Sequence, residues 1–163
     1  MTLPQGSPKK CDHTSVGMFV WKNDKLLLIE RAKFPFGYAV PAGHLDGDTD
    51  YEIAARRELK EEVGLDVVRL DLVFDGRKEN PCRREDGTWH HWKLYRVESV
   101  GDLSPSLQET KRADWYSVEQ IEVLTVRTKK FLAGEISPSE WEMNPGLEPV
   151  MAEFWNSLRL LDN

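Results

Sequence analysis

The stretch that decides the reading is Gly43–Leu65, GHLDGDTDYEIAARRELKEEVGL. Within it, Thr49–Val63 predicts the clearest helix of the chain. Thr49 or Asp50 suits its N-cap, because a short oxygen-bearing side chain satisfies a free backbone N–H of the first turn. Ala55, Leu59 and Val63 recur every four residues and make one apolar stripe. Gly64 stands where a helix stop belongs. Glu58 lies three residues before Glu61 and four before Glu62. At about 3.6 residues per turn this puts all three carboxylates on one edge. Like charges so close cost helix stability unless a cation sits among them. A hard divalent cation answers this, since Mg²⁺ takes oxygen ligands and keeps exchangeable waters. Arg57, four residues before Glu61, can orient a carboxylate through paired hydrogen bonds. A helix rich in Glu, Lys and Arg is more often only a solvated face. The glycine-bearing loop ahead of this one and Gly64 behind it favour a site.

Outward from the helix, the chain alternates strand and helix signals. Ser15–Trp21 is apolar, β-branched and aromatic, and Leu26–Ile29 returns after the polar turn 22–25, which predicts a hairpin. Phe34–Tyr38 reads as an aromatic loop and Ala39–Pro41 as a short extended piece. After the helix, Leu65–Phe74 reads as a strand, Asp75–Thr88 as a polar loop, Trp89–Val97 as a strand and Asp114–Tyr116 as a short strand. Ser117–Ile121 and Thr128–Ala133 read as helical, and Leu147–Leu161 as an amphipathic helix. Strands before, between and after helices make the class α/β.

Composition bounds the function. The 163 residues carry 40% hydrophobic and 31% charged side chains, which fits one globular domain. We expect a loose arm over residues 1–10 and a single domain over 11–163, without repeats. A net charge of −6 argues against a nucleic-acid partner, which needs clustered Lys and Arg. It leaves small phosphorylated substrates open, because a divalent metal supplies positive charge locally. No apolar run is long enough to cross a membrane, and the N-terminus lacks the apolar middle of a signal peptide. Two cysteines, Cys11 and Cys82, make no disulfide framework, so a reduced cytoplasmic setting is the default. Cys11, His13, Cys82 and His90 or His91 could gather around zinc, but no CxxC or HxxxH spacing supports it. Two thiols and some strand or loop histidines are the plainer reading.

Gly43–Leu65 closely resembles the Nudix box, G-x5-E-x7-R-E-U-x-E-E-x-G-U with U a bulky aliphatic residue. Gly43, Arg57, Glu58, Leu59, Glu61, Glu62, Gly64 and Leu65 all fall on motif positions. Thr49 departs from it, standing where the motif has its first Glu, with Asp48 just before and Glu52 one turn later. That first Glu mainly positions loop and helix in the family, so the departure is expected to weaken loop anchoring rather than metal binding. The resemblance implies an α/β/α sandwich with a mixed sheet that presents the box as loop–helix–loop. It implies a hydrolase cleaving a pyrophosphate linkage, with Mg²⁺, or Mn²⁺ in its place, held by Glu58, Glu61, Glu62 and the Gly43 carbonyl. The metal then polarises a phosphate oxygen and activates water for in-line attack. The general base is a box glutamate or a carboxylate outside the box: Glu109, or Glu85 or Asp86 in the long loop.

On the substrate side, Phe36 and Tyr38 could stack on a base or ribose, against the commoner role of aromatics in packing. Arg31, Arg83 and Arg84 could contact phosphate, against simple solvation. His44 reads as a residue that hydrogen-bonds within its own loop. Pro81 stands at a distance after the box similar to that in some ADP-ribose-cleaving members, which tips the substrate toward ADP-ribose or a nucleotide sugar over a non-standard nucleoside triphosphate. A Nudix-fold module that binds a nucleotide without turning it over is the rival reading, and Thr49 is the feature that favours it. Many members of the family are dimers, so a homodimer is compatible with the resemblance.

Overall fold

The computed structural model describes residues 9–158. Residues 1–8 of the expected arm, and 159–161 of the last expected helix, lie outside that range. Lys9 and Lys10 are tied in, because Glu85 N donates to the Lys9 carbonyl and Lys10 bridges Glu85.

β1 (Thr14–Lys22) and β2 (Lys25–Arg31) form the expected hairpin. Its tip, Asn23 and Asp24, has φ of 51° and 61°. Two successive left-handed residues match the right-handed twist of the strands they join. β3 (Tyr38–Ala39) pairs with β2, and β4 (Ala42–Gly43) pairs with β1. α1 (Tyr51–Val63) is the box helix. Asp50 caps it by accepting from Ile53 N, and Gly64 ends it at φ 78°. β5 (Asp66–Lys78) and β6 (His90–Val100) form a long antiparallel pair. β7 (Thr110–Tyr116) lies on β2. α2 (Val118–Leu132), α3 (Pro138–Met143) and α4 (Pro149–Leu158) follow.

β1 runs parallel to β6 from Thr14↔His91 to Val20↔Val97, while the other strand pairs are antiparallel, so the sheet is mixed. Alternation along the strands sends side chains to two cores. Val16, Met18, Val20, Leu27 and Ile29 face Ala54, Ala55, Leu59 and Val63 of α1. Phe19, Leu26 and Leu28 face Ile121 of α2 and Val150, Phe154 and Trp155 of α4. The architecture is therefore a helix–sheet–helix sandwich, in the α/β class as expected. No helix among the described residues is long and apolar enough to cross a membrane.

Several boundaries differ from the sequence reading: β7 begins at Thr110 instead of Asp114 and β6 runs on to Val100, and three further differences have a physical reason. β5 runs on to Lys78, four residues into the expected loop, because Asp75–Lys78 pair with His90–Lys93. The two helical pieces after Ser117 are one helix. Its middle, Glu122–Val126, holds β-branched residues that lower propensity, yet the Thr125 and Thr128 hydroxyls donate to the Glu122 and Leu124 carbonyls and stay inside the helix. α3 was not anticipated. Pro138 at its start and Trp141 buried beneath it hold this short segment.

Candidate active site

The parallel β1–β6 pairing builds the site. It brings the start of β6 beside the start of β1, and β4 lies on the opposite flank with Gly43 across from Val16. The loop before α1, the loop before β6 and the N-terminal end of β1 therefore meet at one end of the sheet. Between them opens a cleft of about 420 Å³.

α1 forms one wall. A Cβ on Gly43 would fall 2.1 Å from Glu58 Cδ, so only glycine lets this carboxyl lie against the β4 backbone. Glu62 is 8% exposed, and its Oε2 accepts from Ala42 N at 3.1 Å. Glu61 shares the cleft edge and is far more open. Burial pushes Glu58 up to about 7, against the pull of Arg57. Burial also pushes Glu62 well above the usual carboxylate range, and the Glu58 charge adds to this.

Arg57 is the clasp of this wall. Its Nε donates to Asp48 Oδ2 at 2.9 Å and Nη1 to Glu58 Oε1 at 2.8 Å and Glu61 Oε2 at 3.3 Å. Nη2 donates to the His44 and Leu45 carbonyls. The guanidinium thus joins the box loop to the carboxylates through charge-assisted bonds. Asp48 occupies Nε directly before Thr49, the position where the motif departs.

The opposite wall comes from loops. Ser104 N and Ser106 N donate to the Val63 and Glu62 carbonyls at the end of α1, and Ala32 N donates to the Glu109 carbonyl. These bonds satisfy helix-end acceptors and lay the 101–109 loop on the cleft, which Glu109 lines. Arg31 lines it too, with Nε donating to the Pro35 carbonyl at 2.7 Å. Arg83 lines the cleft. Arg84 also lines it but is bound bidentately to Asp46 at 2.6 and 2.9 Å. Of the residues singled out in sequence, Arg31, Gly43, Arg57, Glu58, Glu61, Glu62, Arg83, Arg84 and Glu109 therefore meet in one cleft.

Phe36 lines a neighbouring apolar pocket of about 380 Å³ instead. Phe34, Pro81, Phe131 and Trp141 also line it, and the Trp141 and Phe131 rings stack at 4.2 Å. Tyr38 lines neither pocket. β3 alternation turns it against Tyr116, edge to face at 5.5 Å, and its hydroxyl donates to Glu30 Oε1. Glu85 and Asp86 do not line the cleft either. Glu85 spends its backbone on Lys9 and Cys11, and Asp86 sits in a turn with φ 60°.

Sequence reasoning missed two features and put together a third from partly different residues. Glu148, 5% exposed, lies where the two pockets meet. Burial raises its pKa while Arg31 pulls it down. One glutamate ahead of a helix carries no local signal for this. Asp48 was noted as a neighbour of Thr49, but its partner follows only from the fold. The third is the cysteine–histidine set. Cys11, Cys82 and His90 do converge, and they do so on His44, which the sequence reading confined to its own loop. His13 stacks on Trp89 at 4.1 Å and His91 Nε2 lies 2.5 Å from Asp75 Oδ1, so neither takes part.

Comparison with known proteins fits this architecture. The family model of the NUDIX domain matches residues 12–137. The mouse (Mus musculus) diphosphoinositol polyphosphate phosphohydrolase 3-alpha is 25% identical over 100 residues, covering 60% of this chain and 58% of the relative. The chain thus spans little more than half the length of that relative. A bifunctional NMN adenylyltransferase/ADP ribose pyrophosphatase from Francisella tularensis aligns over 94% of this chain and 42% of its own, at TM-score 0.62 and 19% identity. A NUDIX hydrolase from Nitrosomonas europaea aligns over 76% and 90%, at TM-score 0.59 and 22% identity. With the family model covering most of the residues, including every element of the clasped glutamate wall, the chain belongs to the Nudix family.

Proposed function

We propose that this chain is a Mg²⁺-dependent hydrolase that uses water to split a pyrophosphate linkage in a nucleoside-diphosphate-linked substrate. The observation that carries the reading is the gathering of Glu58, packed against Gly43, with Glu61 and Glu62 on one wall of a cleft that also holds Arg31 and Arg83.

The donor set suits a hard divalent ion. Two carboxyls raised by burial, Glu58 further by the Glu61 charge and Glu62 further by the Glu58 charge, are what an oxygen-ligated cation would stabilise as anions. Glu58, Glu61 and Glu62, with the Gly43 carbonyl, would hold Mg²⁺, and Mn²⁺ meets the same donor preferences. When bound, the ion neutralises charge on the phosphate oxygens and makes water more acidic. Arg57 keeps the carboxylates and the box loop in register. Arg31 and Arg83 neutralise the diphosphate, a task Arg84 is less free to share while Asp46 holds it. Glu109 faces the cleft from outside the box, and we assign it the proton of the attacking water.

The adjoining apolar pocket fits the other half of such a substrate. Phe34, Phe36 and Trp141 offer faces for a base, and Glu148 offers an acceptor at the junction. A diphosphate with a moiety on each side uses both pockets, which favours ADP-ribose or a nucleotide sugar over a non-standard nucleoside triphosphate. The Asp48–Arg57 bond weighs against a module that only binds, since the loop anchor that Thr49 lacks is supplied one residue earlier. The test is mononucleotide release with Mg²⁺ from ADP-ribose, a nucleotide sugar, a dinucleoside polyphosphate, and normal and oxidised dNTPs. Turnover of the first two above the rest supports the proposal. Nucleotide-induced stabilisation with no turnover of any would replace it with the binding module.

A further inference from the structure

We propose that Cys11, His44, Cys82 and His90 form a structural zinc site that staples three chain segments at the far wall of the cleft.

The four side chains come from well-separated places: ahead of β1, just after β4, and both ends of the 80–90 loop. Their ligand atoms all lie within 4.8 Å of one another. Cys11 Sγ is 3.5 Å from His44 Nε2 and 3.5 Å from His90 Nε2, and Cys82 Sγ is 3.9 Å from His44 Nε2. A tetrahedral zinc with Zn–S of about 2.3 Å and Zn–N of about 2.0–2.1 Å sets neighbouring sulfur and nitrogen ligands about 3.5–3.6 Å apart. The observed edges are close to that figure.

Hydrogen bonding accounts less well for the cluster. Cys11 Sγ faces two ring nitrogens and also accepts from His13 N at 3.3 Å, with a single proton of its own. Outer partners are in place for a metal. His90 Nδ1 lies 3.2 Å from Asn80 Oδ1, an acceptor that holds the proton on Nδ1 and leaves the Nε2 lone pair toward the cluster. Trp92 Nε1 donates to the same Asn80 oxygen at 2.9 Å and fixes it. The 82–87 loop wraps tightly around Cys82: Cys82 N donates to the Gly87 carbonyl, and a Cβ on Gly87 would fall 2.1 Å from Cys82 Sγ.

Two thiolates and two imidazoles are a soft donor set, which selects zinc over Mg²⁺. Four protein ligands close the coordination sphere, so the role is structural. The His44 carbonyl accepts from Arg57, and Arg83 and Arg84 follow Cys82 directly, so the staple sets the far side of the glutamate wall and the basic side of the cleft. The proposal stands apart from the catalytic reading, because it needs no turnover to be tested.

The experiment is metal analysis of the full chain purified under reducing conditions without added metal, with cobalt substitution. Wild type should hold zinc at about one equivalent per chain, the content of a closed tetrahedral site. Cys11→Ser and Cys82→Ser should each lose most of it, while Glu62→Gln should keep it. The Co²⁺-loaded protein should show thiolate-to-cobalt charge transfer and tetrahedral d–d bands in the wild type, a readout that survives if a variant misfolds. Gly87→Ala should lower zinc retention against a chelator. Three results would each overturn the proposal: wild type that neither carries nor takes up zinc, zinc lost in Glu62→Gln but kept in Cys82→Ser, or a Cys11–Cys82 disulfide in reduced-buffer preparations.

Discussion

The two walls of the cleft hold opposite kinds of donor. On α1, three carboxylates lie within five consecutive residues and are brought together by helix geometry alone. Across the cleft, two thiols and two imidazoles spread over 80 residues are brought together only by the pairing of β1 with both β6 and β4. The first set is oxygen-rich, close to solvent at Glu61 and clasped by Arg57. The second is soft, with Cys11 and His90 buried and His44 and Cys82 half-buried. A short local pattern suffices to mark a site when one helix builds it. A site built by topology leaves no trace in spacing.

The largest effect that separates the walls should come from Glu62→Gln. The amide still accepts from Ala42 N, so the fold should hold. With its anionic oxygens gone, kcat should fall by roughly 10²–10⁴-fold, on the scale of a lost proton-transfer or charge-stabilising group. Steady-state kinetics beside a melting curve separates the two outcomes, and a drop in melting temperature matching the lost activity would mean that Glu62 is structural. Gly43→Ala should also be severe, since its Cβ has no room beside Glu58. Structure determination of that variant should find the Glu58 carboxyl displaced.

Arg57→Lys should cost about 1–3 kcal/mol, the worth of hydrogen bonds to charged groups, because a lysine cannot reach Asp48, Glu58 and two carbonyls at once. Chemical denaturation measures it. Thr49→Glu is a sharper version of the same question. With Asp48 already on Nε, restoring the motif glutamate should change kcat/KM little, and a large gain would show that Asp48 is a poor anchor.

The acidic wall should also show in pH. Glu58 is held at about 7 in the folded chain against an ordinary 4.5. Between these values the metal-free folded state binds more protons than the unfolded state, so stability should fall as pH rises from 4.5 to 7. Mg²⁺ should reverse the trend by stabilising the anions. Melting curves across this range, with and without Mg²⁺, check both signs, and Glu58→Gln should flatten the metal-free slope. A small effect, on stability alone, belongs to Arg84→Ala. Its bidentate bond to Asp46 is partly exposed, so the loss should be about 0.5–1.5 kcal/mol, visible in denaturation and absent from the Mg²⁺ requirement.

Sequence carried the hairpin, the box helix with its cap and stop, and the glutamate edge, because each is encoded by neighbours within a few residues. It split α2 and left residues 122–127 unassigned, where the β-branched Val123, Thr125 and Val126 lower helix propensity and two threonine hydroxyls bond back into the helix. It cut β5 short because Asp75–Lys78 are polar, yet β6 supplies their partners. Tyr38 and Phe36 looked alike in sequence, and strand alternation sent one to the core while the loop sent the other to the apolar pocket. Glu148 and His44 acquire meaning only from residues far away in the chain.

The most direct test of the account is a Mg²⁺ titration of turnover on the best substrate of the panel, with zinc content followed in the same samples, for wild type and Glu62→Gln. The account predicts saturable Mg²⁺ dependence in wild type, near-complete loss in the variant, and the same zinc content in both. Turnover that ignores Mg²⁺, or a Glu62→Gln chain as active as wild type, would contradict it.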